Sequence, residues 1–278
     1  MSTYAGKTAL ITGASGGIGA TFARALAAAG AHLILVARSE EKLRTLASTL
    51  ADQHHIRAEV IVADLSRPEA GHEIFSAVQQ LGLNVDLLIN NAGFGTHGIF
   101  DTIDPERDQR EIMLNVAAVV DLTHRFLPAM LARGDGSIIN VASTAAFQPV
   151  PYMAVYAASK AFVLSFSEAL WGEYRRKGVR VLALCPGATS TEFFDIAGEG
   201  GALGTKETPE KVVWVALRAL ERGRSSVISG RQNTVLANMP RFFPRGIMAR
   251  MVEQTMRPHE ARGSVTQKTT GQLNRDRL

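Results

Sequence analysis

Ser143, Tyr156 and Lys160 are residues whose types and spacing suggest joint chemistry. Tyr156 and Lys160 stand four apart in a segment that continues with helical character, so they share one face and can reach one bound molecule. An ammonium beside a phenol favours the phenolate. This predicts a tyrosine pKa lowered from its usual value near ~10, and hence a usable acid/base. Ser143 follows a buried apolar run, where its hydroxyl can hydrogen-bond a reacting carbonyl or alkoxide. Taken alone, Tyr-x-x-x-Lys on a helix is common and usually structural, so other signals must support it.

One such signal is the run Thr12-Gly13-Ala14-Ser15-Gly16-Gly17-Ile18-Gly19, which ends the first apolar run and opens a helical segment. Gly13 permits a tight turn, Gly17 lets backbone approach a pyrophosphate, and Gly19 lets helix and strand pack closely. Amides at the helix start then face the phosphates, and the helix dipole favours their charge. The loop has no lysine of the nucleotide-hydrolysing kind, which disfavours NTP hydrolysis. Ala37-Arg38-Ser39 ends the second apolar run. An NAD enzyme places an acid there for the ribose hydroxyls, whereas Arg38 and Ser39 suit a 2′-phosphate. The expected cofactor is therefore NADP(H) in preference to NAD(H). The competing reading pairs Arg38 with Glu40 or Glu41 on the surface.

These groups need elements to hold them. Apolar runs recur at Thr8–Ile11, Leu33–Val36, Val60–Val62, Leu87–Ile89, Ile138–Val141, Val181–Leu184 and Val227–Ile228. Each is too short for a helix and lacks polar alternation, which predicts parallel strands covered on both faces. Helical segments lie between them: Thr21–Ala29 before Gly30, Glu40–Leu50, a long pattern opened by Pro105, and Met153–Arg176. The expected fold class is α/β, a single doubly wound Rossmann-type domain over residues 1–230. Its parallel sheet of about seven strands is flanked by helices.

The chain has 278 residues, 46% of them hydrophobic and 20% charged, enough to bury a large core without disulfides or metal. Its one cysteine, Cys185, excludes a disulfide framework and a cysteine zinc cluster, and reads as a buried small hydrophobe. His54, His55, His97 and His124 have no metal-ligand spacing, so no metal is expected; His97 is a candidate for the substrate mouth. No run reaches the ~18 apolar residues of a membrane span, and Met1–Lys7 has no apolar signal region. The expected location is cytoplasmic.

Residues 231–278 carry nine basic against three acidic side chains, while the rest is near neutral. The basic balance therefore predicts no nucleic-acid partner for the main body. Within 231–262, Phe243, Ile247 and Met251 form one helical row and Met248, Val252 and Met256 the next, with Arg241, Arg245 and Arg250 among them. This predicts a basic amphipathic helix that packs on its own protein, with membrane-surface contact the less favoured alternative. Residues 263–278 are polar and expected to be disordered.

Together these features resemble a short-chain dehydrogenase/reductase of the compact type with a C-terminal extension, over about residues 5–230. Thr12–Gly19 matches the family's cofactor loop, and Asp64 the acid that contacts adenine. Asn90-Asn91-Ala92-Gly93 matches a motif that steadies the central sheet and flanks the cofactor. Asn115 matches the asparagine of a proton relay. Ser143, Tyr156 and Lys160 match the remaining active-site residues, with the family's 13-residue step from Ser to Tyr. Pro186, Gly187 and Thr191 match the segment beside the nicotinamide. Thr189 either joins them or caps the next segment.

The resemblance implies interconversion of a ketone and a secondary alcohol, with Asn115, Ser143, Tyr156 and Lys160 catalytic. It places Thr12, Gly13, Ser15, Gly17, Ile18, Gly19, Arg38, Ser39, Asp64, Asn91, Ala92, Gly93, Tyr156, Lys160, Pro186, Gly187, Thr189 and Thr191 against the cofactor. It also implies a homodimer or homotetramer built through the long helices at 105–131 and 153–176. Thr191–Thr208 sets Phe193, Phe194, Ile196 and Leu203 among glycines, which predicts a lid with an apolar inner face. With Phe94, Phe147, Val150, Pro151 and Tyr152, it favours a lipophilic carbonyl substrate. Two alternatives are a non-catalytic NADP(H)-binding sensor or scaffold on the same fold, and a peripheral membrane reductase docked through its basic tail.

Overall fold

The computed structural model describes residues 3–190 and 206–257. The expected lid, Thr191 itself, and the terminal segment 263–278 therefore lie wholly or largely outside the described residues. Seven parallel strands form one sheet in the order β3-β2-β1-β4-β5-β6-β7. They are β1 (Thr8–Thr12), β2 (His32–Ala37), β3 (Ala58–Val62), β4 (Leu87–Asn90), β5 (Gly136–Val141), β6 (Val179–Cys185) and β7 (Ser226–Ile228). Every one contains a predicted apolar run, extended by one to three residues.

The strands read as unbroken apolar runs because both faces of the sheet are covered. Ala9 and Ile11 of β1, with Leu33 and Leu35 of β2, pack in one core with Phe22, Leu43 and Val212. Leu10, Ile34 and Val36 point the other way, into a core with Ile74, Leu122 and Phe126. The first core holds helices α1 (Gly17–Ala28), α2 (Glu40–His54) and α7 (Pro209–Glu221); the second holds α3 (Ala70–Gln80), α5 (Ala118–Arg133) and α6 (Ala154–Tyr174).

The chain winds outward through β2 and β3, then returns to place β4 on the other side of β1. Ligands of such sheets bind at this reversal, outside the carboxyl ends of the strands. Two strands there are locked by side chains. Asn90 and Asn140 are register partners on β4 and β5, and Asn90 Nδ2 donates to Asn140 Oδ1 at 2.8 Å. Asn140 Nδ2 in turn donates to Ser167 Oγ on α6 at 2.9 Å. Asn90 thus works as a core amide, and the sequence had left that possibility open.

The long pattern opened by Pro105 is α4 (Pro105–Ile112), a π turn (Met113–Ala117) and α5, in one continuous run. Asp104 caps α4 by accepting from the Glu106 amide at 3.0 Å. The run Pro105–Arg133 has 29 residues and is long and apolar enough, by length and composition alone, to cross a membrane. Asn115, Asp121, His124 and Arg125 interrupt it, so no strictly apolar stretch of that length occurs within the run. After β7 the chain forms α8 (Arg231–Asn238), which the sequence reading did not anticipate, and the expected amphipathic helix, α9 (Arg245–Met256).

Candidate active site

A cavity of about 1100 Å³ opens at the carboxyl ends of the strands. Its wall brings together Gly13, Ser15, Gly17 and Ile18 after β1, Arg38 and Ser39 after β2, and Asp64 after β3. Asn91, Ala92 and Gly93 follow β4, and Pro186, Gly187 and Thr189 follow β6. Ser143, Tyr156 and Lys160 complete it. Lys42, Arg107, Arg110 and Leu114 also line the cavity, and the motifs had not named them.

Three expected residues stand behind the wall, outside its lining. Thr12 ties the turn: its hydroxyl donates to the Ile89 carbonyl and accepts from the amides of Asn91 and Ala92 at 2.9 and 3.0 Å. Gly19 is required by packing, since a Cβ there would lie 2.3 Å from the Gly13 carbonyl oxygen. Asn115, fully buried on the π turn, clasps the next loop. Its Nδ2 donates to the Phe94 carbonyl at 2.9 Å and to Ser159 Oγ at 3.1 Å, and its Oδ1 accepts from the Phe94 amide at 3.2 Å.

Lys160 and Tyr156 do meet on one face of α6. Lys160 Nζ is 5.8 Å from the Tyr156 ring centre and donates to the Val141 carbonyl at 2.9 Å. The expected lowering of the tyrosine pKa is not found. Burial pushes the Tyr156 phenol up to about 12, against the Ser143 hydroxyl, which hydrogen-bonds to it, and with the buried Glu111 charge adding to the rise. Burial also pushes Lys160 down to about 8, with Glu111 and Cys185 acting the other way. Desolvation therefore outweighs the Ser143 hydrogen bond, and the phenol keeps its proton.

At the other end of the cavity, burial tends to raise Asp64. The Ser66 amide and hydroxyl at 3.0 and 2.7 Å, with Arg38 and Arg67 nearby, outweigh it and hold the carboxyl below its usual range. Arg38 is exposed at the cavity wall. Glu40, a surface partner the sequence offered for it, pairs with Arg44 at 2.7 Å.

Two features were missed. Behind Asn115, Glu111 is fully buried and Asp108 nearly so, both bonded to Thr96. The spacing 108-111-115 on one helical run was the available signal. The second is the tail. Met248, Val252 and Met256 are the buried row of α9, and Val252 and Met256 pack on Val150, Met153 and Ala157 beside Tyr156. Met256 reaches the cavity wall. His97, a candidate for the substrate mouth, bonds the Met256 carbonyl through Nε2 at 2.9 Å. Tyr152, held at φ 66°, bonds Glu253 of the same helix at 3.4 Å. Among the described residues no cluster of His, Cys, Asp or Glu could hold a metal ion.

The family model described as short chain dehydrogenase matches residues 7–199. The chain belongs to the short-chain dehydrogenase family. It is 36% identical over 216 residues to a very-long-chain 3-oxoacyl-CoA reductase of Anas platyrhynchos, covering 76% of this chain and 68% of that one. It is 35% identical over 192 residues to the inactive hydroxysteroid dehydrogenase-like protein 1 of Homo sapiens, covering 68% and 57%. The chain thus spans between about half and two thirds of these relatives' own length. Among solved structures, it is similar to a short-chain dehydrogenase from Sphingobium yanoikuyae in complex with NADPH. That match has 32% identity and TM-score 0.76, over 98% of both chains. It is also similar to a bulky-bulky ketone specific alcohol dehydrogenase from Comamonas testosteroni, with 33% identity and TM-score 0.73 over 87% and 93%. The short-chain dehydrogenase described here is accordingly of Rossmann type, in a family of oxidoreductases whose solved members include NADPH complexes.

The expected cytoplasmic location is overturned. It rested in part on the lack of a membrane-length apolar run; Pro105–Arg133 is long and apolar enough by length and composition alone, while its Leu122, Phe126 and Met130 are buried in the second core. It also sits badly with relatives named for very long acyl chains and hydroxysteroids.

Proposed function

We propose that this short-chain dehydrogenase is an NADP(H)-dependent reductase that interconverts a bulky lipophilic ketone and its secondary alcohol. The observation that carries the reading is the gathering of Ser143, Tyr156 and Lys160 on the wall of a cavity that also reaches Arg38, Ser39 and Asp64. The residues fit the cofactor. Gly13 and Gly17 have φ of 65° and 53°, a backbone that turns loop amides towards phosphates as only glycine readily does. Arg38 and Ser39 offer a charged fork and a hydroxyl to a 2′-phosphate, with no carboxylate at position 37 to repel it. When bound, NADP(H) supplies or accepts the hydride.

The chain's own residues then have distinct tasks. Ser143 donates to the substrate oxygen and holds it beside Tyr156. The neutral phenol of Tyr156 gives its proton to that oxygen as the alcohol forms. Lys160, charged and buried, orients the ribose and steadies the phenolate left behind. Asn115 fixes the loop at Phe94 and keeps the floor beneath Lys160 in place. Apolar Phe94, Val150, Met153 and Met256 on the wall favour a lipophilic substrate. A relative with a very-long-chain 3-oxoacyl substrate and a structural neighbour specific for bulky ketones support that class. Subunit pairing through the long helices belongs to the same proposal. Phe162 of α6, exposed and stacked on Phe166 at 5.7 Å, gives it an apolar contact face.

Fluorescence titration with NADPH and NADH, followed by cofactor consumption on a panel of lipophilic ketones, tests the reading. Tight NADPH binding with turnover of a ketone is expected. A relative named inactive favours a second reading, a cofactor-binding protein without turnover. NADPH binding with no turnover across acyl, steroid and aromatic ketones would select it.

A further inference from the structure

The C-terminal extension presents an apolar and cationic face that its inner packing leaves uncovered. Val235 and Leu236 of α8 are 64% and 50% exposed; Phe242 and Phe243 in the link to α9 are 82% and 43% exposed. On α9, Ile247 and Met251 are 46% and 49% exposed, one helical turn apart, while the adjacent row, Met248, Val252 and Met256, is buried against the body. The sequence reading expected this helix to pack on its own protein, and only one of its two apolar rows does so. Arg231, Arg241, Arg245 and Arg250 are all exposed in the same stretch, and residues 231–252 contain no Asp or Glu.

We propose that this face docks on an anionic lipid bilayer, with the exposed apolar row in the headgroup–acyl boundary and the arginines on lipid phosphates. Aromatic and aliphatic side chains interleaved with unopposed arginines are the composition of an interfacial helix. A second copy of this chain fits less well. A two-fold contact would set arginine against arginine with no carboxylate in the segment to pair them. Cover by the following residues also fits poorly, because 258–278 contain no Phe, Tyr, Trp, Ile or Met and are themselves basic. The inner row of the same helix ends in Met256 at the cavity wall. Docking therefore brings the bilayer to within one helix of the site, where a lipophilic substrate arrives without crossing water.

The test is co-sedimentation of the full chain with vesicles of phosphatidylcholine alone and of phosphatidylcholine mixed with phosphatidylglycerol. Binding to the mixed vesicles is expected, weaker on neutral ones and reduced by salt. Phe242→Ser with Ile247→Asp should weaken it at least about tenfold, and so should Arg241→Glu with Arg245→Glu. Both variants change exposed residues outside the site, so NADPH binding should stay as in the unaltered chain and report intact folding. No sedimentation of the full chain with anionic vesicles overturns the proposal, as does sedimentation that both variants leave unchanged. A fall in oligomer mass with Ile247→Asp, without vesicle binding by the unaltered chain, assigns the face to a second copy instead.

Discussion

Glu111 is bound twice by Thr96: one carboxylate oxygen accepts from the Thr96 amide at 2.9 Å and from its hydroxyl at 3.0 Å. The same hydroxyl lies 2.9 Å from Asp108 Oδ1, and a hydroxyl has one proton to give. Two carboxylates therefore compete for it, and the other Glu111 oxygen has no protein partner. Burial raises Glu111 from 4.5 to about 7, with the Thr96 bonds and Lys160 opposing and Asp108 reinforcing.

A folded pKa above the unfolded one makes this acid stabilising when protonated. The contribution is fully present below the unfolded value and is lost as pH rises through the folded one. Between about pH 5.5 and about pH 8 the loss comes to about 2 kcal/mol. Glu111→Gln keeps the shape and removes the titration. Urea unfolding at the two pH values should show the unaltered protein losing about 2 kcal/mol more than the variant. Equal losses would mean that Glu111 is ionised throughout.

Tyr156 pushed up to about 12 carries its proton across the physiological range. Ketone reduction, which needs the protonated phenol, should vary little with this group between about pH 6 and about pH 9, while alcohol oxidation should climb with pH. Tyr156→Phe removes the proton donor and the acceptor for Ser143 but leaves the apolar ring in place. A fall in kcat of about 10²- to 10⁴-fold, with thermal midpoint and NADPH affinity held, is the expected result. Retained turnover would take Tyr156 out of the acid/base role.

Arg38 should decide the cofactor. A charge-assisted bond to a phosphate contributes about 1.5–3 kcal/mol, so Arg38→Ala should weaken NADPH by roughly 10- to 100-fold and leave NADH almost unchanged. Fluorescence titration of both nucleotides reads this directly. An equal effect on both would return Arg38 to a general role at the cavity edge.

The sheet was legible because its central strands are buried on both faces and so print as unbroken apolar runs, with Leu10 and Ile11 serving opposite cores, while the edge strands β3 and β7 are only partly buried. The positions of Tyr156 and Lys160 were legible because four residues on a helix fix their relation. Their protonation was not, since it depends on how much water the fold removes, and spacing carries no record of that. The carboxyl pair Asp108 and Glu111 was hidden for a related reason: on a strongly charged helix start, the acids that fold inward look like those that stay in solvent. The tail's contact with the site was half legible. The row Met248, Val252, Met256 announced a buried face, but nothing in the spacing said that the surface beneath it was Val150 and Met153.

That contact leads to the last prediction. Met256 is 2% exposed, packs on the segment before α6, and lines the cavity from a helix that begins more than a hundred residues after Ser143. The end of the cavity proposed for the adenine is built from the loops after β1, β2 and β3, so a change at position 256 should leave NADPH affinity unaltered. Met256→Ala removes apolar wall and enlarges the substrate end, and core truncations of this type cost about 2–5 kcal/mol in stability. KM should rise for substrates that fill the site, and bulkier ketones should gain relative to smaller ones. Steady-state kinetics on a graded series of ketones, alongside a nucleotide titration, separates these effects. A variant that loses NADPH binding while still folded would show that the tail supports the cofactor end, and an unchanged substrate ranking would remove Met256 from the substrate wall.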